Sequence, residues 1–391
     1  MRKSSCIFLP ALVFLVAGVL RAQQPCPGYS VVVNTAEDQL MLDINGAENP
    51  QDQIAALDKY AQAHPDSKFM PCVNEYYTST YVKLKDYDKA IEYGEKDLAA
   101  DYFDLNLALN LLRAYVASGK TGDSAFEAIF KIPDEIKKEI SPSRPSKMSD
   151  EEWEKMQKDA AEQAKDHRAY AVYAFFQLLP RVTDGAKRVE YLDKFQQIFP
   201  GAATEYAAQI NNGYFEAYRL SNQVDKMLEY GEKTVEADPN NLVVLNTLAF
   251  VYGVVNRSNM EKADAYAGKA VKVAEEMKKP EGVSDEDFKK EQNNQLGMAH
   301  LTLGYVDFAK AGKSRKVATA IKELKTAADL LDANPPLQAQ ALFYLGNAYE
   351  FEYPANHGAA LEALRKAAEL PGPFQGPAKE LIEKIRRAGG R

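Results

Sequence analysis

Residues that form metal sites and nucleophilic centres are scarce in this chain, which has three cysteines and four histidines among its 391 residues. No pair of histidines has the HExxH spacing of a zinc protease, and no pair of cysteines forms a CxxC motif. A complete phosphate-binding GxxxxGK[ST] loop, a GxGxxG fingerprint and a GxSxG elbow are also missing. We therefore expect a protein without a catalytic site, a metal or a cofactor.

Basic residues are outnumbered by acidic ones, and the net charge is −8. The first 22 residues carry Arg2, Lys3 and Arg21 and no acid, so without them 45 basic and 56 acidic residues remain, a net charge of −11. A surface with this excess of carboxylates repels phosphate backbones and anionic lipid. Nucleic acid is therefore not an expected partner.

The N-terminus has the pattern of a secretory signal peptide. Arg2 and Lys3 precede an apolar run at 7–20 that contains Pro10, and Ala22 offers a small residue for cleavage. The alternative is a membrane anchor, but about 20 uninterrupted apolar residues are needed to span a bilayer. We expect cleavage near Ala22, export to the periplasm or outside the cell, and no membrane span in the mature chain.

Export changes the meaning of the cysteines, because disulfides form in oxidising compartments. Cys6 lies within the signal peptide, which leaves Cys26 and Cys72 in the mature chain. A disulfide between them would close a loop of about 46 residues and stabilise the fold by about 4 kcal/mol. The alternative is two free thiols, with Cys72 buried as a small apolar side chain. Two cysteines this far apart do not form a zinc site.

Internal duplication is the strongest positive signal in the sequence. Pro65, Pro200 and Pro335 follow one another at intervals of 135 residues, and the segment EYGEK occurs at 92–96 and again at 229–233. Matches in one order and at nearly one offset predict a repeat architecture.

The repeated segments have helical rather than strand periodicity. Apolar residues recur at spacings of three and four, and short polar, glycine or proline turns separate the runs. Two long helices are predicted to begin after Ser149 and Ser284, in the sequences SDEEW and SDEDF. Ser149 and Glu152 form a predicted capping box, and Ser284 with Asp287 forms a weaker version of it.

The repeats contain a motif of leucine, small and tyrosine positions on one helix and alanine positions on the next. The best match is Leu342, Leu345, Gly346, Tyr349, Ala360, Leu364 and Ala367. A second match is Leu245, Leu248, Ala249, Tyr252, Ala263 and Ala270. Over most of 50–370 the chain therefore resembles the tetratricopeptide repeat family, whose repeat has about 34 residues. It departs from that family by lacking the tryptophan at the first marked position and by having the two long helices.

The resemblance implies an all-α fold, a right-handed α-solenoid of about eight antiparallel helix pairs with a C-terminal capping helix. Each pair has apolar surface on both sides, so stacking is needed to bury it. The expected segments are a signal peptide (1–22), an N-terminal tail with a lead-in helix (23–50), helix pairs of copy 1 (51–148), copy 2 (149–283) and a truncated copy 3 (284–370), and the capping helix (371–391).

The resemblance also implies a function, because the family binds extended peptides or helices along a concave wall formed by the first helix of each pair. The inward-facing candidates are Asn106, Asn110, Arg113, Asn212, Glu216, Arg219, Asn246, Phe250, Phe343 and Asn347. Asparagine amides can both donate to and accept from a peptide backbone. Alternatively, these side chains form ordinary helix surface or bonds between helices.

The leading hypothesis is a non-catalytic, exported scaffold that binds another protein or peptide in the cell envelope. A second hypothesis is a helical enzyme or carbohydrate-binding protein with a pocket under the long helices at 149 and 284. Such a pocket would be closed, lined by aromatic rings and supplied with converging carboxylates. A third hypothesis is a self-associating structural protein.

Overall fold

Helices make up the described part of the chain, which consists of residues 32–140, 144, 147–312 and 316–389 of the computed structural model. No strand occurs within these ranges, so the predicted all-α class is confirmed. No helix among these residues is long and apolar enough to cross a membrane. The predicted signal peptide at 1–22 and Cys26 lie outside the described residues.

The chain divides into two compact units at Arg181 and Val182. In the first unit the helices are α1 (Ala36–Gly46), α2 (Pro50–Ala63), α3 (Met70–Leu84), α4 (Tyr87–Ala99), α5 (Leu105–Ser118), α6 (Asp123–Ile140) and α7 (Asp150–Leu178). A 3₁₀ turn, Leu179–Arg181, follows α7.

In the second unit the helices are α8 (Gly185–Ile198), α9 (Pro200–Glu205), α10 (Ala207–Leu220), α11 (Val224–Ala237), α12 (Leu242–Phe250), α13 (Met260–Glu275), α14 (Asp285–Lys310), α15 (Ala318–Leu330), α16 (Pro335–Phe351), α17 (His357–Glu369) and α18 (Gln375–Gly389). A π-helical turn, Val251–Val255, extends α12.

Within each unit, each helix packs against its neighbours in the sequence, and several alternate helices also touch. In the first unit α5 contacts α4 and α6, and it also contacts α3 and α7. In the second unit α14 contacts α13 and α15, and it also contacts α12 and α16. The helices α3, α5 and α7 therefore form one layer, and α12, α14 and α16 form another. In such packing, stability is a sum of interfaces between neighbours.

A stack of three tyrosines joins helices α2, α3 and α4 in the first unit. The rings of Tyr77 and Tyr93 lie 4.2 Å apart, and Tyr81 stacks beside both. The hydroxyl of Tyr77 donates to Asp58 at 2.7 Å, and the ammonium of Lys96 lies 4.2 Å from the centre of the Tyr93 ring. The stack buries Tyr77 and Tyr81 between the helices.

The second unit contains the same stack in the repeated segments. The rings of Tyr214 and Tyr230 lie 4.6 Å apart with Tyr218 beside them. Tyr214 donates to Asp193, and the ammonium of Lys233 lies 4.3 Å from the centre of the Tyr230 ring. The repeated sequence segments thus make the same side-chain contacts in each unit.

A second matched contact lies one helix further along each unit. The hydroxyl of Tyr115 on α5 donates to Glu95 on α4 at 2.5 Å. In the second unit Tyr252 donates to Glu232 on α11 at 2.8 Å. Both pairs tie the end of a first helix to the middle of the preceding helix, which fixes their relative register.

The two long helices begin with the predicted caps. The Ser149 hydroxyl accepts the Glu152 amide and the Glu152 carboxylate accepts the Ser149 amide, so the capping box is confirmed. The Ser284 hydroxyl accepts the Asp287 amide at 3.0 Å and donates to its carboxylate at 2.7 Å. Aspartate, one methylene shorter than glutamate, makes no return bond to the Ser284 amide.

The last helix, expected within 371–391, buries one apolar stripe. Ala378, Ile382 and Ile385 of α18 are buried in a core cluster, and Leu381 packs against it. The cluster includes Leu364 of α17, the preceding helix. Burial of one stripe on a helix whose other faces are charged is the pattern of an amphipathic terminal helix.

Small residues set the distance between consecutive helices. A methyl group added at Gly346 on α16 would lie 2.5 Å from Cγ of Leu364, and one added at Gly231 would lie 2.8 Å from Cδ2 of Leu248. Both distances are shorter than the closest approach of two non-bonded carbon atoms. Glycine at these positions therefore lets a leucine of the next helix fill the space where a side chain would be.

Replacing Gly346 by alanine is expected to lower the free energy of unfolding by about 1–3 kcal/mol, because Leu364 is fully buried and has little room to move. Gly268→Ala in α13 is the matched control, since no atom lies within 4 Å of the added methyl group. That change should raise stability by about 0.5–1 kcal/mol through helix propensity. Urea unfolding followed by circular dichroism measures both, and equal effects would contradict the assigned packing.

Candidate functional site

The predicted residues of α5 lie together in the α3–α5–α7 layer. Asn106 and Arg113 are exposed, whereas Asn110 between them is only 6% exposed. The Asn110 amide donates to the Asn106 oxygen at 3.2 Å, and the Arg113 guanidinium donates to the Asn110 oxygen at 3.0 Å. The three side chains therefore form one hydrogen-bonded row along the helix.

The row begins at a buried carboxyl group on α3. The Asn106 amide donates to Glu75, which is 2% exposed. The hydroxyl of Tyr102 donates to the other oxygen of Glu75 at 2.8 Å and lies 3.1 Å from Asp104. Each amide in the row has its orientation fixed by these neighbours, because an amide oxygen only accepts and its nitrogen only donates.

The row ends at an aromatic ring of α7. The Arg113 guanidinium carbon lies 6.0 Å from the centre of the Tyr170 ring. Burial raises the pKa of Tyr170 to about 12, although Arg113 opposes this. Burial and then Arg113 lower the pKa of His167, so this histidine is neutral at pH 7. Its Nδ1 atom is buried without a hydrogen-bond partner.

Three carboxyl groups from different elements meet behind this row. Glu75 comes from α3, Asp97 from α4, and Asp104 is the N-cap of α5, where it accepts the Leu107 amide at 2.8 Å. Burial and then Asp104 raise the pKa of Glu75, while Asn106 and Tyr102 act in the opposite direction. We call Glu75, Asp97 and Asp104 the carboxyl cluster.

Asp97 is the most deeply placed member of the carboxyl cluster. It is 0% exposed, and neither carboxyl oxygen has a hydrogen bond of good geometry, although the Asn74 side chain is close enough to lower its pKa. Burial is the larger effect and, with Glu75 and Asp104, raises that pKa from 3.8 to about 8. The protonated form therefore dominates at neutral pH.

The carboxyl cluster does not have the geometry of a metal site. Among the described residues no group of three or more histidine, cysteine, aspartate or glutamate side chains is placed to hold a metal ion. Cys72 on α3 is buried. Because Cys26 lies outside the described residues, the disulfide between these two cysteines stays a prediction.

The predicted residues of α10 are arranged differently. Glu216 forms an ion pair with Arg219, with 2.6 Å between the carboxylate oxygen and Nη2. Asn212, one turn before Glu216, is half-buried. The arginine of this set thus has an acidic partner within its own helix, unlike Arg113.

Asn246 on α12 lies inside the second unit. It is 2% exposed, and its amide donates to the Gln295 backbone oxygen at 3.1 Å and to the Gln295 side chain at 2.8 Å. Its own oxygen is buried without a hydrogen-bond partner. This side chain connects α12 to α14 and does not offer its amide to solvent.

Phe343 and Asn347 lie on α16 beside a group of aromatic rings. The centre of the Phe343 ring lies 5.4 Å from that of Phe374 and 5.8 Å from that of Tyr344. The Asn347 amide donates to the Phe343 backbone oxygen at 2.8 Å. Phe250 packs against the same core cluster from α12. These half-buried rings give the α12–α14–α16 layer an apolar character.

The two units can be aligned residue by residue at α5 and α12. The N-cap Asp104 accepts the Leu107 amide, and 137 residues later the N-cap Asn241 accepts the Val244 amide. In this register Asn106, Asn110 and Arg113 of α5 correspond to Val243, Thr247 and Phe250 of α12. The side chains in α12 are therefore apolar or smaller than those in α5. Val243 is 52% exposed, like Asn106 at the surface, whereas the middle position is buried as Asn110 in α5 and half-buried as Thr247 in α12.

A shallow depression lies beside the first half of α14. Its volume is about 260 Å³, and its lining residues are Asp287, Lys290, Glu291, Asn294, Leu330, Leu331, Ala333 and Asn334. The lining contains no aromatic ring. It therefore lacks the stacking surface that a sugar-binding pocket under this helix would need.

The sequence predicted the residues of the row on α5 but not the residues that hydrogen-bond to the row or surround it. Glu75, Asp97, Tyr102, His167 and Tyr170 were not among the predicted site residues. Asp97 could have been predicted as a buried carboxyl group, since it follows Gly94 by three positions on the apolar face of α4. The others come together only through packing between helices.

Replacing Asp97 by asparagine is expected to reduce the loss of stability at alkaline pH. The raised pKa means that the folded protein holds a proton that the unfolded chain releases, so this contribution is complete below about pH 3.8 and is lost as the pH rises through about 8. Asparagine mimics the protonated acid. Between about pH 6 and about pH 9 the wild type should lose about 1–3 kcal/mol more than the variant.

Thermal unfolding measured by circular dichroism across this pH range provides the test. Asp101→Asn is the matched control, because Asp101 is an exposed carboxylate close to Asp97 in the sequence. The control should follow the wild type at every pH. Parallel pH profiles for Asp97→Asn and the wild type would show that Asp97 is ionised in the folded protein at neutral pH.

Comparison with known proteins does not supply a relative for this chain. No protein-family model matches it, and no curated protein is significantly similar to it. The resemblance to the tetratricopeptide repeat therefore rests on the sequence motifs alone.

Proposed function

We propose that this protein is an exported, non-catalytic scaffold that binds another protein or a peptide through its layers of first helices. In this proposal the helix pairs, about eight in number, stack as a right-handed α-solenoid of the tetratricopeptide type. The N-terminal signal pattern supports the location in the cell envelope. The missing catalytic motifs support a binding role.

One comparison within the chain carries the proposal. The two units repeat the tyrosine stack, the tyrosine–glutamate bond and the glycine–leucine contact, all of which hold helices together. They differ in the first-helix layer, where the exposed Asn106 and Arg113 of α5 become Val243 and Phe250 in α12, and the buried Asn110 between them becomes Thr247.

This division between kept and changed positions has a physical explanation. A contact that determines helix spacing cannot change without a cost in stability, whereas an exposed position can change freely. The contacts between helices are the same in both units, whereas exposed residues differ in chemistry. This is the pattern expected if the two units bind chemically different parts of a partner. A purely structural array would have no need for a polar surface in one unit and an apolar one in the other.

Site-specific photocrosslinking in the native cell tests the proposal on the full-length chain. A photoreactive amino acid is placed at Asn106 or Val243, which are exposed in the two layers, and at Lys137, which is exposed on α6 outside them. We expect discrete crosslinked partners from the first two positions and none from Lys137.

A second measurement links the crosslinks to the binding surface. Arg113→Ala should weaken the crosslink from position 106, whereas Lys137→Ala should leave it unchanged. No crosslink from 106 and 243, or equal crosslinking from all three positions, would contradict the proposed binding layers.

A further inference from the structure

We propose that the carboxyl cluster is a proton-binding switch that only the first unit contains. When the cluster is protonated, the connection between α4 and α5 (residues 100–104) stays closed over it. When the cluster ionises, this connection opens and admits water. The inference goes beyond the proposed binding function and does not depend on it.

The second unit shows that the fold does not need acidic residues at these positions. Each member of the carboxyl cluster corresponds to a neutral residue at the offset of 137 residues that aligns the two tyrosine stacks: Glu75 to Asn212, Asp97 to Thr234, and Asp104 to Asn241. The tyrosine stacks themselves are the same in both units. Helix packing therefore does not require the three acids, and burying them destabilises the first unit.

The deepest of the three positions gives the clearest contrast between the units. Asp97 and Thr234 are both 0% exposed. The hydroxyl of Thr234 donates to the backbone oxygen of Tyr230 at 2.8 Å, so this polar atom has a partner within its own helix. Neither oxygen of Asp97 has a hydrogen bond of good geometry. A buried carboxyl group in this position is far more stable with its proton than without it.

No basic side chain neutralises the carboxyl cluster. None of its members forms an ion pair with a described residue. The groups that act on its members from α3, α4, α5 and the connection are one another and the neutral side chains of Asn74, Tyr76, Tyr102 and Asn106. Burial and then Glu75 raise the pKa of Tyr76 to about 12, so this tyrosine stays neutral as well. Protons are therefore what remains to remove the negative charge.

The connection is the cover of the cluster that can move with few broken contacts. Asp97 lies in the last turn of α4, and residues 99–101, which follow it, are exposed. The hydroxyl of Tyr102 ties the connection to the cluster, because it donates to Glu75 at 2.8 Å. Pro239 occupies the position of Tyr102 in the second unit, so this tie is absent there. Fraying of one helix end thus brings Asp97 to water, and helix ends are where local opening begins.

The backbone of the connection also differs between the units. Asp101 has a φ of 57°, in the left-handed region that residues with a Cβ atom seldom adopt. Its counterpart Asp238 has a φ of −126°, which is ordinary extended backbone. The closed connection of the first unit therefore depends more on its contacts with the cluster than the connection of the second unit does.

The direction of the switch follows from proton linkage. Burial raises the pKa of Asp97 from 3.8 to about 8, so the closed form holds a proton that the open form releases. Closure is fully favoured below about pH 3.8 and is lost as the pH rises through about 8. For one group with these pKa values, opening becomes up to about 100-fold more favourable between about pH 6 and about pH 9.

Hydrogen–deuterium exchange measured by mass spectrometry tests the inference on the full-length chain at these two pH values. Each rate is divided by the intrinsic rate of an unstructured peptide at the same pH, which gives a protection factor. Residues 98–107 report on the connection, and residues 235–244 are the matched segment of the second unit. The variants are Asp97→Thr, which installs the residue of the second unit, and Asp66→Asn, which removes an exposed carboxylate of the first unit.

We expect the protection factors of 98–107 to fall about 10–100-fold from about pH 6 to about pH 9, and those of 235–244 to change less than about twofold. Asp97→Thr should reduce the fall in 98–107 to less than about threefold. Asp66→Asn should behave as the wild type does. If Asp97→Thr folds poorly, Glu75→Asn replaces it, and it should also reduce the fall because it removes a neighbouring charge.

Three results would overturn the inference. The first is an equal loss of protection in 98–107 and 235–244. The second is an equal loss throughout the first unit, which would mean that the cluster controls unfolding of the whole unit and not the opening of its connection. The third is a wild-type pH dependence in Asp97→Thr, or in Glu75→Asn where that variant takes its place.

Discussion

The close approach of consecutive helices is the constraint on which the rest of the structure depends. Leucine side chains of one helix occupy the space beside a glycine of its neighbour, as at Gly94 and Leu111, Gly231 and Leu248, and Gly346 and Leu364. Dispersion contacts decline steeply with distance, so this approach is what allows tyrosines and alanines to bury their surfaces between neighbours. Because the spacing is set locally between consecutive helices, the same solution could be copied along the chain.

Copying also explains why core and surface can be told apart without any other protein for comparison. The helix-joining contacts are retained in both units, from the aspartate under the tyrosine stack to the glutamate that accepts from Tyr115 or Tyr252. The exposed ends of the row on α5, Asn106 and Arg113, are not retained. The duplicated chain serves as its own reference, and what differs between its halves is a guide to what each half contacts.

The sequence predicted the helical class, the two caps and a last helix within 371–391, because these depend on residues close together in the chain. Serine followed three positions later by glutamate is sufficient to predict the cap at Ser149. The carboxyl cluster could not be predicted in the same way. Glu75, Asp97 and Asp104 belong to different helices, and their proximity depends on helix spacing and rotation, which periodicity leaves undetermined. Asn246 illustrates the same limit, because its spacing fits a surface asparagine while the packing of α14 buries it.

Contact between neighbours has a mechanical consequence within each unit. Helices whose contacts run to the next one or two helices along the row carry a pulling load in series, so a small displacement at every interface adds up along the row. A globule with many long-range contacts would instead resist until it yields at once. The bonds that Tyr115 and Tyr252 donate to the preceding helix then act as stops that limit sliding, while the glycine–leucine contacts keep consecutive helices engaged.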